Sequence, residues 1–81
     1  MSASNKTEPD SATDRIVIIC NGQERLIAPG LTVAAFIATL ELNPDMMAVE
    51  LDGRVLERTT YDSTFLAAGA RVELIRFVGG G

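Results

Sequence analysis

The sequence predicts a single α+β domain in which one main helix packs across one face of a mixed β-sheet. Three observations predict it. The segment Ile16–Cys20 is continuously apolar and β-branched, as expected of a central strand. Residues 31–42 place apolar side chains at helical spacing. Residues 71–77 form a last strand, close to the end of the chain.

The first two strands are predicted to form a hairpin. Asn21-Gly22 directly follows the first strand, and both central positions of a type I′ turn need positive φ, which this dipeptide accepts. Residues 23–28 are therefore expected to return antiparallel. Pro29-Gly30 then ends the second strand.

The helix is predicted within residues 31–42. Its apolar positions fall at i, i+3, i+4 and i+7, on one stripe: Val33, Phe36, Ile37 and Leu40. Thr32 is the predicted N-cap. Asn43-Pro44 disfavours continuation beyond Leu42.

The second half of the chain is less regular. Residues 46–51 have strand character, and Asp52-Gly53 predicts a second turn followed by a short return strand. Residues 62–64 are predicted to start a single helical turn that buries Phe65 and Leu66.

The predicted order, ββαβ(β)β, resembles the β-grasp, or ubiquitin-like, architecture. In that arrangement the first and last strands lie side by side and parallel at the centre of the sheet, which suits two apolar strands. We predict three regions: a flexible polar extension at residues 1–14, a β-grasp domain at residues 15–78 and a flexible tail at residues 79–81.

Composition argues against several classes of function. The 81 residues carry a net charge of −4, a single cysteine and no histidine. One cysteine forms neither an internal disulfide nor a thiolate metal cage, and Ser-His or Cys-His catalysis needs a histidine. The acidic balance disfavours nucleic acid, and no apolar run approaches the roughly 20 residues of a bilayer span. We therefore expect a cytoplasmic protein that is not an enzyme, binds no metal, nucleic acid or membrane, and buries Cys20 as a small apolar residue.

The last residues of the chain call for a functional explanation. Three glycines, Gly79, Gly80 and Gly81, follow an apolar strand without a polar spacer. Extended together with Val78, they reach roughly 13–14 Å, enough to enter the active site of a partner. There the terminal carboxylate is the only reactive group, and as an ionised acid it resists nucleophiles until an ATP-using partner converts it to an acyl-adenylate. The alternative is an incidental frayed terminus.

Alternate residues of the last strand face opposite sides of the sheet. We predict that Glu73, Ile75 and Phe77 face away from the helix and, with Val78, form an apolar docking patch with a charged rim. The alternative is that Ile75 and Phe77 belong to the core or serve only the β propensity of the strand.

Three segments resemble the ThiS family of sulfur carrier proteins in thiamine biosynthesis: GLTV at residues 30–33, MAVELDGRVL at residues 47–56 and GARVELIRFVGGG at residues 69–81. The likeness spans residues 15–81. A Gly-Gly end is common to ubiquitin-like carriers, whereas the FVGGG ending is typical of ThiS. MoaD, the small subunit of molybdopterin synthase, is the nearest alternative.

The resemblance implies a specific role for Gly81. A ThiF-like activating enzyme would adenylate its carboxylate with ATP and magnesium, and a persulfide donor would then convert it to a thiocarboxylate. The thiazole synthase ThiG would accept that sulfur, and the chain itself would bind no cofactor. Two further readings remain open: a ubiquitin-like modifier that forms amide bonds with lysines, and a non-covalent interaction module.

Overall fold

The computed structural model describes residues 14–77. The predicted extension up to residue 13, and the predicted tail with Val78, lie outside this range. The described chain contains five strands, one α-helix and two 3₁₀ helices: β1 (Ile16–Cys20), β2 (Gln23–Ile27), α1 (Val33–Thr39), the 3₁₀ helix Pro44–Met46, β3 (Met47–Leu51), β4 (Arg54–Val55), the 3₁₀ helix Arg58–Thr60 and β5 (Arg71–Arg76).

The strands form one mixed sheet in the order β2-β1-β5-β3-β4. The first and last strands, β1 and β5, are parallel neighbours at its centre, and the other three pairings are antiparallel. This confirms the predicted β-grasp arrangement. No helix within residues 14–77 has the length and apolar character to cross a membrane.

The β1–β2 hairpin turns at the predicted dipeptide. Asn21 and Gly22 have φ of 51° and 82°, as a type I′ turn requires. Asn21 also joins β5, since its Oδ1 accepts a hydrogen bond from the Leu74 backbone N–H at 2.7 Å and its Nδ2 donates to the Leu74 carbonyl at 3.3 Å. The turn residue therefore holds the last strand as well as closing the hairpin.

Replacing this asparagine by glycine separates its two roles. Asn21→Gly keeps the positive φ but removes both hydrogen bonds to Leu74, so we expect a loss of about 1–3 kcal/mol in the free energy of unfolding. Urea unfolding measures it. The control is Glu41→Gly, at another residue with positive φ, 64°, where glycine relieves strain and is expected to leave stability equal or higher. Equal stability of Asn21→Gly and wild type would contradict a holding role for Asn21.

The helix begins as predicted and ends early. Thr32 is the N-cap, and its Oγ1 accepts a hydrogen bond from the Ala35 N–H at 3.1 Å. The helical segment stops at Thr39, because Leu40 is already a C-cap and Glu41 adopts positive φ. The predicted end at Leu42 was therefore too late, and Pro44 instead starts a 3₁₀ helix.

The core lies between α1 and the inner face of the sheet. The largest fully buried side chains come from the helix and from three strands: Phe36, Ile18, Ile37, Val33, Val49 and Val72. Cys20 is a buried member of this core. The three central strands, β1, β5 and β3, therefore each bury alternate residues in the core and leave the others less buried.

The prediction for residues 62–64 was partly wrong. The helical turn lies earlier, at Arg58–Thr60, and Leu66 is buried whereas Phe65 is 63% exposed. Phe65 forms an isolated antiparallel bridge with Thr32, so this stretch is extended and neighbouring side chains point in opposite directions. Tyr61 is buried instead, and its hydroxyl donates to the Met47 carbonyl at 3.0 Å.

Candidate functional site

The last strand is paired with β3 up to its final residue, Arg76, whereas its pairing with β1 covers only Arg71 and Val72. It lies between β1 and β3, and beyond its end at Arg76 the Phe77 N–H still donates to the Met46 carbonyl at 2.9 Å. In the sequence, Val78 and three glycines follow immediately. Because Val78, Gly79, Gly80 and Gly81 lie outside the described residues, their roles remain predictions.

The side chains of β5 alternate as the sequence predicts. Val72 and Leu74 are buried against the core, whereas Ile75 is 54% and Phe77 42% exposed, and Glu73 is exposed as well. The part of the alternative that places Ile75 and Phe77 in the core is therefore wrong, whereas a choice of these residues for β propensity alone stays open. Their role in docking remains a prediction.

Strands β3 and β4 extend this exposed surface. In the register of the sheet, Ala48 lies opposite Ile75, Glu50 opposite Glu73, and Val55 opposite Glu50. We define the open face as the outward residues at this end of the sheet: Glu73, Ile75, Phe77, Ala48, Glu50 and Val55. The last three were missed by sequence reasoning, since only the strand register brings them beside β5.

Two carboxylates oppose each other on the open face. Glu50 and Glu73 are direct cross-strand partners in the antiparallel β3–β5 pair. Like charges placed directly opposite one another destabilise a sheet. A basic group of a partner at this position would relieve that repulsion.

A cation lies over the aromatic ring at the end of β5. The guanidinium carbon of Arg58 is 5.2 Å from the ring centroid of Phe77, within the range of a cation–π contact. The two residues are far apart in sequence, and no periodicity or motif links them. Sequence reasoning gave Arg58 no role.

Cys20 is buried at the end of β1, as predicted. Burial raises the pKa of its thiol, the Glu73 carboxylate raises it further, and Arg25 opposes them. The thiolate is the reactive form of cysteine, so the folded protein disfavours reaction at this sulfur. The unfolded chain loses the thiol proton at a lower pH than the folded chain does. The stability that the protonated Cys20 thiol contributes is therefore complete below the ordinary thiol pKa and is lost as the pH rises through the raised pKa of the folded state.

Replacing Cys20 tests whether its sulfur takes part in the function. We expect Cys20→Ala to react with the predicted activating partner at the wild-type rate, because the thiol is buried and its pKa is raised. Its free energy of unfolding should fall by about 1 kcal/mol through the small cavity left behind. Pyrophosphate release and urea unfolding measure the two effects. A folded variant that is no longer activated would contradict this assignment.

The chain is similar to known proteins in sequence and in fold. The model of the ThiS family matches residues 15–81. The crystal structure of the thiamine biosynthesis protein ThiS from Geobacter metallireducens superimposes with a TM-score of 0.71 at 33% identity, covering 82% of this chain and 100% of that one. The NMR structure of a thiamine biosynthesis protein from the same organism gives a TM-score of 0.69 at 33% identity, covering 82% of this chain and 88% of that one.

A curated protein also matches part of the chain. It is named thiazole synthase, comes from Paramagnetospirillum magneticum, and is 28% identical over 64 residues, which are 79% of this chain and 20% of that protein. The chain thus spans about a fifth of the length of this relative. The family model and the two Geobacter metallireducens structures together establish the family. The chain belongs to the ThiS family of sulfur carrier proteins.

Proposed function

We propose that the chain carries sulfur on the terminal carboxylate of Gly81, as a thiocarboxylate, for thiazole formation in thiamine biosynthesis. The observation that carries the proposal is the end of β5. Phe77 is hydrogen-bonded into the sheet beside an exposed apolar face, and the sequence then runs through Val78 into three glycines. A fixed docking face next to a side-chain-free end suits delivery of a main-chain acid into another active site.

The proposed chemistry has three balanced steps. The Gly81 carboxylate attacks the α-phosphorus of ATP, which releases pyrophosphate and forms an acyl-adenylate. The terminal sulfur of a persulfide donor attacks the acyl carbon, and AMP leaves. A thiol then attacks the inner sulfur of the resulting acyl disulfide, the one that belongs to the donor. The thiocarboxylate stays on the carrier, and the donor forms a disulfide with that thiol.

The catalytic groups belong to the partners in this proposal. A ThiF-like enzyme binds ATP and magnesium and forms the adenylate, while this chain is substrate and carrier rather than enzyme. A ThiG-type thiazole synthase is the proposed acceptor of the sulfur. Support for that partner comes from the relative named thiazole synthase, because a segment similar to this chain forms part of that protein.

Intact-mass analysis tests the proposal against its rivals. The chain is incubated with a ThiF-type enzyme, magnesium, ATP, a persulfide donor and a thiol, and we expect one oxygen to be exchanged for sulfur. Covalent adducts with other chains would favour a ubiquitin-like modifier. An unchanged mass, in a mixture that converts a known ThiS protein, would favour a non-covalent module. Sulfur transfer from the product to molybdopterin precursor instead of thiazole would favour the MoaD-like alternative.

A further inference from the structure

Arg58 and Phe77 meet at the point where β5 ends. The Arg58 guanidinium lies over the Phe77 ring at 5.2 Å, and the backbone N–H of Phe77 donates to the Met46 carbonyl at 2.9 Å. The backbone of Phe77 is thus fixed by the sheet, while its exposed ring is in contact with a cation. Phe77 is the last described residue before the glycines of the sequence.

The backbone that carries Arg58 is anchored beside the same strand. Arg58 starts a 3₁₀ helix, and its carbonyl accepts a hydrogen bond from the Tyr61 N–H at 3.2 Å. The buried Tyr61 hydroxyl in turn donates to the Met47 carbonyl at 3.0 Å. Met47 adjoins Met46, the residue that binds Phe77. The Phe77 backbone and, through Tyr61, the Arg58 backbone are therefore tied to adjacent residues, Met46 and Met47, where the 3₁₀ helix Pro44–Met46 leads into β3.

A half-exposed aromatic ring loses rotamer freedom when a partner covers it, and this loss weakens binding. A cation held over the ring restricts that freedom in advance. We propose that Arg58 is a positioning residue, which holds the Phe77 ring in the orientation that the activating partner recognises. This inference rests on the proposed function and deepens it, since it assigns Arg58 to partner recognition at the end of β5.

The expected effect falls on binding rather than on chemistry. Exposed cation–π contacts are weak, so removing the cation should raise the KM of the activating enzyme for this carrier about two- to fivefold. The kcat for adenylate formation should stay unchanged, because Arg58 acts through Phe77 and the reacting group is the Gly81 carboxylate. Removal of a merely structural residue would instead lower the fraction of folded carrier without altering KM per folded molecule.

The test combines a charge-matched control with a double-mutant cycle. Arg58→Gln and Arg54→Gln each remove one positive charge from an exposed arginine, and only the first removes the contact with Phe77. KM and kcat are measured by pyrophosphate release with a ThiF-type enzyme. We expect Arg58→Gln to raise KM more than Arg54→Gln, and Arg58→Lys, which keeps a cation, to recover part of the loss. In the Phe77→Leu background, Arg58→Gln should have no further effect.

Two results would overturn the inference. Equal KM values for Arg58→Gln and Arg54→Gln would mean that Arg58 contributes only a positive charge that is not specific to its position. Additive effects of Arg58→Gln and Phe77→Leu on KM would mean that Arg58 does not act through the Phe77 ring. Either result is meaningful only when the wild-type chain is adenylated in the same assay. A wild-type chain that is not activated at all contradicts the proposed function instead, so the two failures are distinguishable.

Discussion

Deletion of Gly81 is expected to abolish adenylation and thiocarboxylate formation while the fold keeps its stability. The deletion moves the reactive carboxylate back by one residue, or about 3.3–3.6 Å of extended chain. A misplacement of about 1 Å at a reacting centre can cost roughly 100-fold in rate, so the loss should be at least that large. Pyrophosphate release and intact mass measure the reaction, and urea unfolding measures stability.

The matched control removes residues from the other end of the chain. Deletion of residues 1–13, which also lie outside the described range, should leave activation at the wild-type level. If the chain without Gly81 were adenylated as fast as wild type, the carboxylate of Gly81 would not be the reacting group.

The double variant Ile75→Ala/Phe77→Ala should remain folded and lose most of its affinity for the activating enzyme. Both side chains are about half exposed on the open face, so their truncation opens no cavity in the core. Exposed aromatic and aliphatic residues of this kind are candidate binding hot spots, each worth about 2 kcal/mol or more. A rise of at least tenfold in KM is therefore expected, measured by pyrophosphate release.

Phe65→Ala is the matched control for this surface. Phe65 is also a largely exposed phenylalanine, 63% accessible, but it lies beside Thr32 at the start of the helix and not on the open face. Its truncation should leave KM unchanged. Unfolding of the Ile75/Phe77 variant, or a KM equal to that of wild type, would contradict a docking role for these residues.

The elements that were predicted from sequence are those with strong local signals. Asn21-Gly22 suits a turn with two positive φ angles, and Thr32 suits an N-cap, so neither depends on distant residues. The helix end was misplaced because nothing local distinguishes Leu40 from Leu42 before Pro44. The positive φ of Glu41 belongs to a Schellman-type cap, in which the Leu42 N–H donates to the Ile37 carbonyl and the Glu41 N–H to the Ala38 carbonyl. The sequence does not mark this position, because it carries a glutamate and not the usual glycine.

Residues 57–70 have no clear period, and here prediction was weakest. Phe65 was assigned to the core because it is large and apolar, yet the bridge with Thr32 turns it outward. Tyr61 was overlooked although it is buried with its hydroxyl bonded to the Met47 carbonyl. Both outcomes depend on tertiary contacts with segments far away in the sequence.

The candidate site likewise contains some residues that local sequence patterns predict and others that only tertiary contacts bring together. The outward direction of Glu73, Ile75 and Phe77 follows from strand alternation once the helix side is known. Glu50 joins them only through the β3–β5 register, and Arg58 only through its contact with the Phe77 ring. Residues that come together across strands or loops leave no spacing signal in a single sequence.

Locating the transferred sulfur within the chain distinguishes the Gly81 carboxylate from the Cys20 thiol as its site of attachment. The chain is first allowed to react with a ThiF-type enzyme, ATP and a persulfide donor. Proteolysis after arginine residues then releases the peptide FVGGG, which follows Arg76, separately from the peptide of residues 16–25 that contains Cys20. Fragmentation in the mass spectrometer then locates the sulfur. We expect sulfur in place of one oxygen of the Gly81 carboxylate. Sulfur on Cys20, with an unmodified FVGGG peptide, would show that Gly81 does not carry it.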